Sequence, residues 1–280
     1  MPARTPALRV STADAGDVKT AAETYARDGV VLLQGALDAR ALAAAESAWA
    51  WSVANPGPLA SRIPSATAAT FYQDLYNPRV LEGYEAMLRA SPLPRLIADI
   101  WGAPDVWFMY EQVFLKEGGE ARRTPWHQDS SYLSVGGEHL AVAWITFETL
   151  TADDSLEFVR GSHRGVLYNG SRFTLGDDTA PLHPGEALPR LPDIESDRSA
   201  FDIVSFAVEP GDVVLFHPRM LHGGAPTHAG QRRRTLTLRF FGRDAIYEER
   251  PGPTGPRPSG QRLDLQTGDP LRHPAFLKLA

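Results

Sequence analysis

The chain contains no cysteine. That absence alone excludes a disulfide framework, a thiolate zinc site, an iron–sulfur cluster and a cysteine nucleophile. Basic charge is not in excess either: 28 Lys and Arg face 34 Asp and Glu, a formal net charge of −6. A dedicated nucleic-acid binder would show a basic footprint. No apolar run approaches the ~18 residues of a membrane-spanning helix. The opening stretch MPARTPALRVSTADAG lacks the apolar centre of a secretory signal. The expectation is a cytoplasmic protein with no nucleic-acid or membrane partner, its oligomeric state left open. What the chain does have is 280 residues, 43% of them hydrophobic, enough for a sizeable core. Its 24 Gly and 23 Pro promise many turns.

The first hundred residues read as mostly helical. Asp17 is placed to cap a helix running through Tyr25 and Arg27, and Gly29 ends it ahead of a short strand, Val30 to Leu33. Asp38 precedes an alanine-rich helix from Ala39 to about Ala54, which Pro56 and Pro58 stop. Two further helices are expected over about Pro78–Ala90 and Pro94–Trp101. From Val106 the pattern changes to short strands: Val106–Lys116, His139–Glu148, Leu156–Val159, Ile203–Val208, Val213–Phe216 and Thr235–Phe241. Glu117, Gly118 and Gly119 turn the chain after the first of these. Such strands with Gly/Pro-rich turns predict an α+β, mainly β domain built on an antiparallel sandwich or barrel. Residues 164–200 lack periodicity and read as a long active-site loop or lid. The expected organisation is one domain over 1–280: a helical part about 17–102, a barrel about 106–243 and an extended Pro-rich tail 248–280.

Eight histidines are present, and one stands in an H-x-D arrangement, Trp126-His127-Gln128-Asp129. In extended backbone, residues i and i+2 face the same side, so His127 and Asp129 can reach one cation. His222, in Met220-Leu221-His222-Gly223-Gly224, is the best candidate for a third ligand. Two imidazoles and one carboxylate leave open positions that suit non-haem Fe(II) and oxygen chemistry. Eleven residues on, Arg233 opens a strand whose odd positions are polar and even positions mainly apolar. An inward-facing Arg233 can clamp a carboxylate bidentately, while Arg232 and Arg234 point the other way. The plainer readings are a loop histidine, a strand-end histidine and a solvated basic turn.

The order H-x-D, distal His, then Arg resembles the phytanoyl-CoA dioxygenase-like branch of the Fe(II)/2-oxoglutarate oxygenases. Thr124–Asp129, Ala143-Trp144-Ile145, Phe158–His163 and Glu209–Asp212 support the resemblance, which covers about Ala21 to Phe241. It implies a double-stranded β-helix (jelly-roll, cupin-like) barrel with the N-terminal helices outside. It also implies Fe(II) held by His127, Asp129 and His222, with 2-oxoglutarate and O2 as co-substrates and Arg233 on the distal carboxylate. Gln128 and Trp144 fall where family members line the co-substrate pocket, though a surface amide and a core aromatic read equally well. Family members often carry Ser two residues after the distal His; here that position is Gly224, and Thr235 is placed to supply the hydroxyl instead. Asp153-Asp154-Ser155 replaces the family's usual turn before the Gly-Ser-His segment.

With Asp129 in place, the implied outcome is hydroxylation of an unactivated C–H bond of a small molecule, releasing succinate and CO2; desaturation or cyclisation stays open. Tyr110, Gln112 and Trp126 are candidate substrate-pocket residues, with core packing the alternative. The pair Arg122-Arg123 reads as a solvated turn or a contact for an anionic group, and His163 and His217 read as structural. Two other classes remain: a cupin-type metal enzyme that does not use 2-oxoglutarate, and a catalytically silent barrel that only binds.

Overall fold

The computed structural model describes residues 9–11, 15–63, 70–117, 123–174, 176–183, 185, 187–251, 255–256 and 263–280. The helices are α1 (Ala15–Asp28), α2 (Ala39–Ala54), α3 (Val80–Ala90) and α4 (Leu93–Trp101). The early strands are β1 (Arg9–Ser11), β2 (Val30–Gln34), β3 (Ser61–Ile63), β4 (Thr70–Leu75), β5 (Trp107–Glu117), β6 (Thr124–His127), β7 (Val135–Gly136) and β8 (Leu140–Thr146). The later ones are β9 (Leu156–Val159), β10 (Ile203–Ser205), β11 (Val213–Phe216), β12 (His222–Gly224), β13 (Arg232–Phe241), β14 (Ile246–Tyr247) and β15 (Leu277–Lys278).

Local chemistry accounts for the helix ends. Asp38 adopts extended backbone and its carboxylate accepts from the Ala41 amide at 2.7 Å, capping α2. Gly102 ends α4 in the left-handed region, at φ 63°. Helix α1 begins two residues before Asp17, which lies in its first turn rather than at its cap.

The large sheet runs β1-β2-β11-β8-β13-β5-β4-β3 with β15 also on β5, and the small one runs β10-β9-β12-β6. Only the β1–β2 ladder is parallel among the ladders of these two sheets; the rest are antiparallel. The chain passes from one sheet to the other between β5 and β6, β8 and β9, β10 and β11, β11 and β12, and β12 and β13. That alternation is jelly-roll winding. The segment read as helical also contributes β3 and β4, which pair onto the edge of the large sheet. The strand expected over Ile203–Val208 ends at Ser205, and Val208 makes a lone bridge to Leu150.

Period-two alternation divides the core. Leu236, Leu238 and Phe240 of β13, Ala143 and Ile145 of β8, and Leu215 of β11 pack outward against Tyr25, Ala45, Tyr84, Leu88 and Ile97 of the helices. The opposite faces of β8 and β11 meet the small sheet through Val142, Trp144, Val214 and Phe216 against Leu156, Phe158 and Val204. The inward face of β13 is Arg233, Thr235, Thr237 and Arg239, all buried. A polar stripe therefore lies between the sheets, beside an apolar cluster that holds them together. The residues read as the Gly118-Gly119 turn, Arg122, and residues 252–254 and 257–262 of the Pro-rich tail lie outside the described residues.

Candidate metal centre

Strands β6 and β12 pair with His127 directly opposite His222. Gly223 permits that closeness: a Cβ there would meet the Thr124 carbonyl oxygen at 2.8 Å and the Trp126 nitrogen at 3.1 Å. Gln128 is extended (φ −121°, ψ 126°), so His127 and Asp129 project to one side before the chain enters a 3-10 turn over Asp129–Tyr132. The three side chains converge, with candidate ligand atoms within 4.8 Å of one another. His127 Nε2 lies 3.5 Å and His222 Nε2 3.9 Å from Asp129 Oδ1.

The surroundings fix the donor atoms. His127 Nδ1 donates to the Pro125 carbonyl at 2.8 Å and His222 Nδ1 to the Met220 carbonyl at 3.0 Å. A carbonyl only accepts, so both Nδ1 atoms carry the proton and both Nε2 lone pairs turn to the shared space. Burial, helped by the neighbouring His127, pushes the His222 imidazole down to about 3, leaving it neutral. Phe158 and Phe216 enclose its ring, with centroids at 6.0 and 4.8 Å. Burial works to raise the Asp129 carboxyl. The Arg239 guanidinium and the two histidines outweigh it and hold Asp129 well below the carboxylate range. Two imidazoles and one carboxylate, without thiolate, match the donor set of a non-haem iron site.

Arg239 is the residue sequence reasoning missed. Its Nε and Nη2 donate to Asp129 Oδ2 at 3.1 and 2.8 Å, and Nη2 also donates to Gln112 Oε1 at 2.9 Å. Its guanidinium lies 4.5 Å from the Tyr110 ring centroid. Tyr110 and Gln112 thus reach the site through Arg239. The signal was present, because Arg239 continues the odd-position polar alternation that begins at Arg233.

Arg233 faces inward, while Arg232 pairs with Glu117 and Arg234 with Glu46 and Glu148 on the other side. Its guanidinium donates to the carbonyls of Asp154 (2.8 Å), Pro226 (2.9 Å) and Ala225. Among the described residues it forms no ion pair. The Asp153-Asp154-Ser155 segment therefore does more than reshape a loop, since it supplies a carbonyl to Arg233. Gly224 has φ 89°, where a serine would be strained, and its Cβ would crowd the Ser155 carbonyl at 3.1 Å. Thr235 and Thr237 lie on the Arg233 side of β13, with Trp144 opposite Thr237. The Thr237 hydroxyl and Arg239 Nη1 are buried without a hydrogen-bond partner. Unsatisfied polar atoms between the metal triad and Arg233 are what a polar ligand bound there would satisfy.

Two expected residues sit elsewhere. Gln128 points away from the triad: its amide donates to the Val166 and Arg219 carbonyls at 3.1 and 2.8 Å and accepts from the Tyr168 amide at 2.8 Å. It clamps the 164–200 segment to the body. Trp126, also on the far side of β6 from His127, packs with Leu191, Ile194 and Leu221, and its indole donates to Glu195 at 2.6 Å. Arg123 stacks on that indole and pairs with Glu157 and Glu195.

Interleaved sheets with a two-histidine, one-carboxylate cluster between them place the chain in the cupin-like jelly-roll class. Within that class, the family model for phytanoyl-CoA dioxygenase (PhyH) matches residues 25–235, and the chain belongs to that family. It is 24% identical to human peroxisomal phytanoyl-CoA dioxygenase over 191 residues, 66% of this chain and 52% of that protein. The chain thus spans about half the length of that relative. Among solved structures, the epimerase SnoN in complex with Fe3+, alpha ketoglutarate and nogalamycin RO superposes with a TM-score of 0.69 at 19% identity, covering 95% of this chain and 100% of SnoN. The carbocyclase SnoK gives 0.66 at 18% identity, covering 94% and 96%. At such identities the likeness is one of fold. Among the described residues, no helix is long and apolar enough to cross a membrane.

Proposed function

We propose that the chain is an Fe(II)- and 2-oxoglutarate-dependent oxygenase that hydroxylates a C–H bond of a small organic molecule. The observation that carries the reading is the placement between the two sheets of the His127–Asp129–His222 cluster, at β6 and β12, and of inward-facing Arg233 on β13, a buried cation whose partners are carbonyls. His127, Asp129 and His222 would hold Fe(II) and Arg233 the 2-oxoglutarate carboxylate, a pair that would supply O2-dependent oxidation with release of succinate and CO2.

The chain's own contribution is positional. His127 and His222 present Nε2, and Asp129 presents Oδ1 because Arg239 occupies Oδ2. Asp129 would therefore offer the ion one carboxylate oxygen beside the two imidazole nitrogens. Arg233 anchors a carboxylate about 20 Å along β13 from Arg239, six residues at about 3.3 Å each, with both long side chains reaching into the gap. Thr235, Thr237 and Trp144 line the stretch between. Tyr132 and Phe173 stack near-parallel, 6° apart, and both meet the His127 ring edge-on, shielding it from water. Gln128 and the Tyr132 hydroxyl hold the covering segment down through Tyr168 and Ser171. Asp129 supports hydroxylation as the outcome, since a full carboxylate fills the position that a halide would need.

The test is release of succinate from 2-oxoglutarate by the purified protein with Fe(II) and O2. Activity in the wild type and its loss in His222→Ala are expected; no release from the wild type with any Fe(II) supplement overturns the reading.

A further inference from the structure

The turn that carries Asp129 is held from the C-terminal tail. Asp129–Tyr132 is a single 3-10 turn, a form whose own hydrogen bonds have poor geometry. Ser130, the residue after the ligand, is 1% exposed, so its backbone depends on protein partners. Its amide donates to the Pro218 carbonyl at 3.0 Å. Its carbonyl accepts from Arg250 Nε at 3.2 Å and, more weakly, from the Leu133 amide at 3.4 Å. Arg250 Nη2 also donates to the Val135 carbonyl at 3.3 Å. The arginine is itself 8% exposed, and half-exposed Glu248 holds its Nη1 at 2.8 Å. One buried guanidinium thus ties together the two ends of the 130–135 loop.

Backbone bonds seat the tail along the same loop. Strand β14 pairs with β7, and the Glu248 amide donates to the Ser134 carbonyl at 3.1 Å. The Ser134 amide donates to the Gly255 carbonyl at 2.6 Å, and the Gly255 amide to the Tyr132 carbonyl at 3.0 Å. Gly255 also abuts Tyr76, whose hydroxyl a Cβ at that position would overlap. Tyr76 stacks on Tyr110 with centroids 4.0 Å apart, and the Tyr110 ring lies under Arg239. The tail therefore meets Asp129 from two sides: its backbone through Arg250 and Ser130, and its Oδ2 through the aromatic pair beneath Arg239.

The structure assigns Arg250 as a positioning residue that fixes the Ser130 peptide, and through it the direction in which Asp129 presents Oδ1 to a metal ion. This rests on the reading of His127, Asp129 and His222 as the metal centre. A charge-assisted bond to a buried carbonyl is stronger than a neutral one. Without it, the Ser130 oxygen keeps only the long bond from Leu133, and the turn is free to shift toward a better partner.

The experiment is Co(II) titration of the metal-free protein under nitrogen, reading both affinity and the visible Co(II) bands, whose position and intensity report the ligand arrangement. Arg250→Gln should weaken Co(II) about tenfold, the lower end of the range for losing a partner that orients a ligand, and should shift the bands. Arg250→Lys should fall between the two, since one ammonium cannot span the Ser130 and Val135 carbonyls as the fork does. Arg243→Gln is the control: this arginine pairs with Asp105 at the surface, away from the 130–135 loop, and both readouts should stay at wild type. Wild-type affinity and bands in Arg250→Gln, or an equal loss in Arg243→Gln, overturn the assignment while leaving the proposed function intact. Where the glutamine variant does not fold, Arg250→Lys decides: weakened binding with shifted bands is expected, and wild-type values overturn the assignment. Failure of the wild type to bind Co(II) overturns the metal centre, and the role of Arg250 with it.

Discussion

Arg239 holds Asp129 by two hydrogen bonds to a single oxygen, Oδ2, and leaves the other oxygen facing His127 and His222. The pair is buried, so each charge depends on the other while no metal is bound. Replacing Arg239 with Gln should weaken Co(II) or Fe(II) binding about 10–100-fold, the usual penalty for losing a partner that orients a ligand. Arg239→Lys should recover part of the loss. Metal affinity unchanged in Arg239→Gln, read by equilibrium dialysis, would show that Asp129 needs no such support.

Gly223 sets the distance between the two histidine strands. Gly223→Ala places a methyl group against backbone atoms of Thr124 and Trp126, which cannot move aside as a side-chain tip would. The expected outcome is a large loss of metal affinity with a drop of roughly 1–3 kcal/mol in stability, as for other overpacked sites. Wild-type Co(II) affinity in this variant would mean that the β6–β12 spacing is not what positions His127 and His222.

Gln128, itself buried, makes three part-buried hydrogen bonds that tie residues 166–168 and 219 to the turn beside Asp129. Gln128→Ala should cost about 2–4 kcal/mol of stability, at roughly 1 kcal/mol per bond plus unsatisfied partners. Hydrogen exchange at the Tyr168 amide should rise, while the affinity for 2-oxoglutarate stays near wild type. A selective loss of 2-oxoglutarate binding would instead return Gln128 to the co-substrate pocket.

Glu111 carries a pH dependence that lies outside the metal site. Burial pushes its carboxyl up from 4.5 to about 7, with Oε1 accepting from the Asn77 amide and Oε2 unpartnered. The folded chain therefore holds this proton more tightly than the unfolded chain. The resulting stabilisation is full below pH 4.5, declines as pH rises, and is gone above pH 7. Its size is about 3 kcal/mol, from roughly 2.5 pH units at 1.36 kcal/mol each. Glu111→Gln should remove this slope from urea-melt stabilities between pH 5 and 7 and be more stable than wild type at pH 8. An unchanged slope in that variant would show that Glu111 is not its source.

Much of this was legible in the sequence because it depends on local patterns. Asp38 with the alanine run marked α2, an apolar run between Gly211 and Pro218 marked β11 to the residue, and a short alternating run ahead of Gly161 marked β9. The triad was readable because an H-x-D pair needs only one extended residue between its ligands. Strands β6 and β12 were harder, since Thr124–His127 and His222–Gly224 are short and take their extended shape from pairing with each other. The roles of Gln128 and Trp126 turned on which side of β6 each residue faces, which only the partner strands fix. The β13 alternation marks Arg239 as inward-facing, but its contact with Asp129 depends on how β13 packs across the gap from the β6 turn, a long-range property that no window of sequence contains.

The central claim is tested most directly by anaerobic addition of Fe(II) and 2-oxoglutarate, watching for the weak visible absorption of the iron–2-oxo acid chelate. The band should form with the wild type, vanish in His222→Ala, and require a much higher 2-oxoglutarate concentration in Arg233→Ala with iron binding retained. No band with the wild type, or an undiminished band in His222→Ala, would contradict the account.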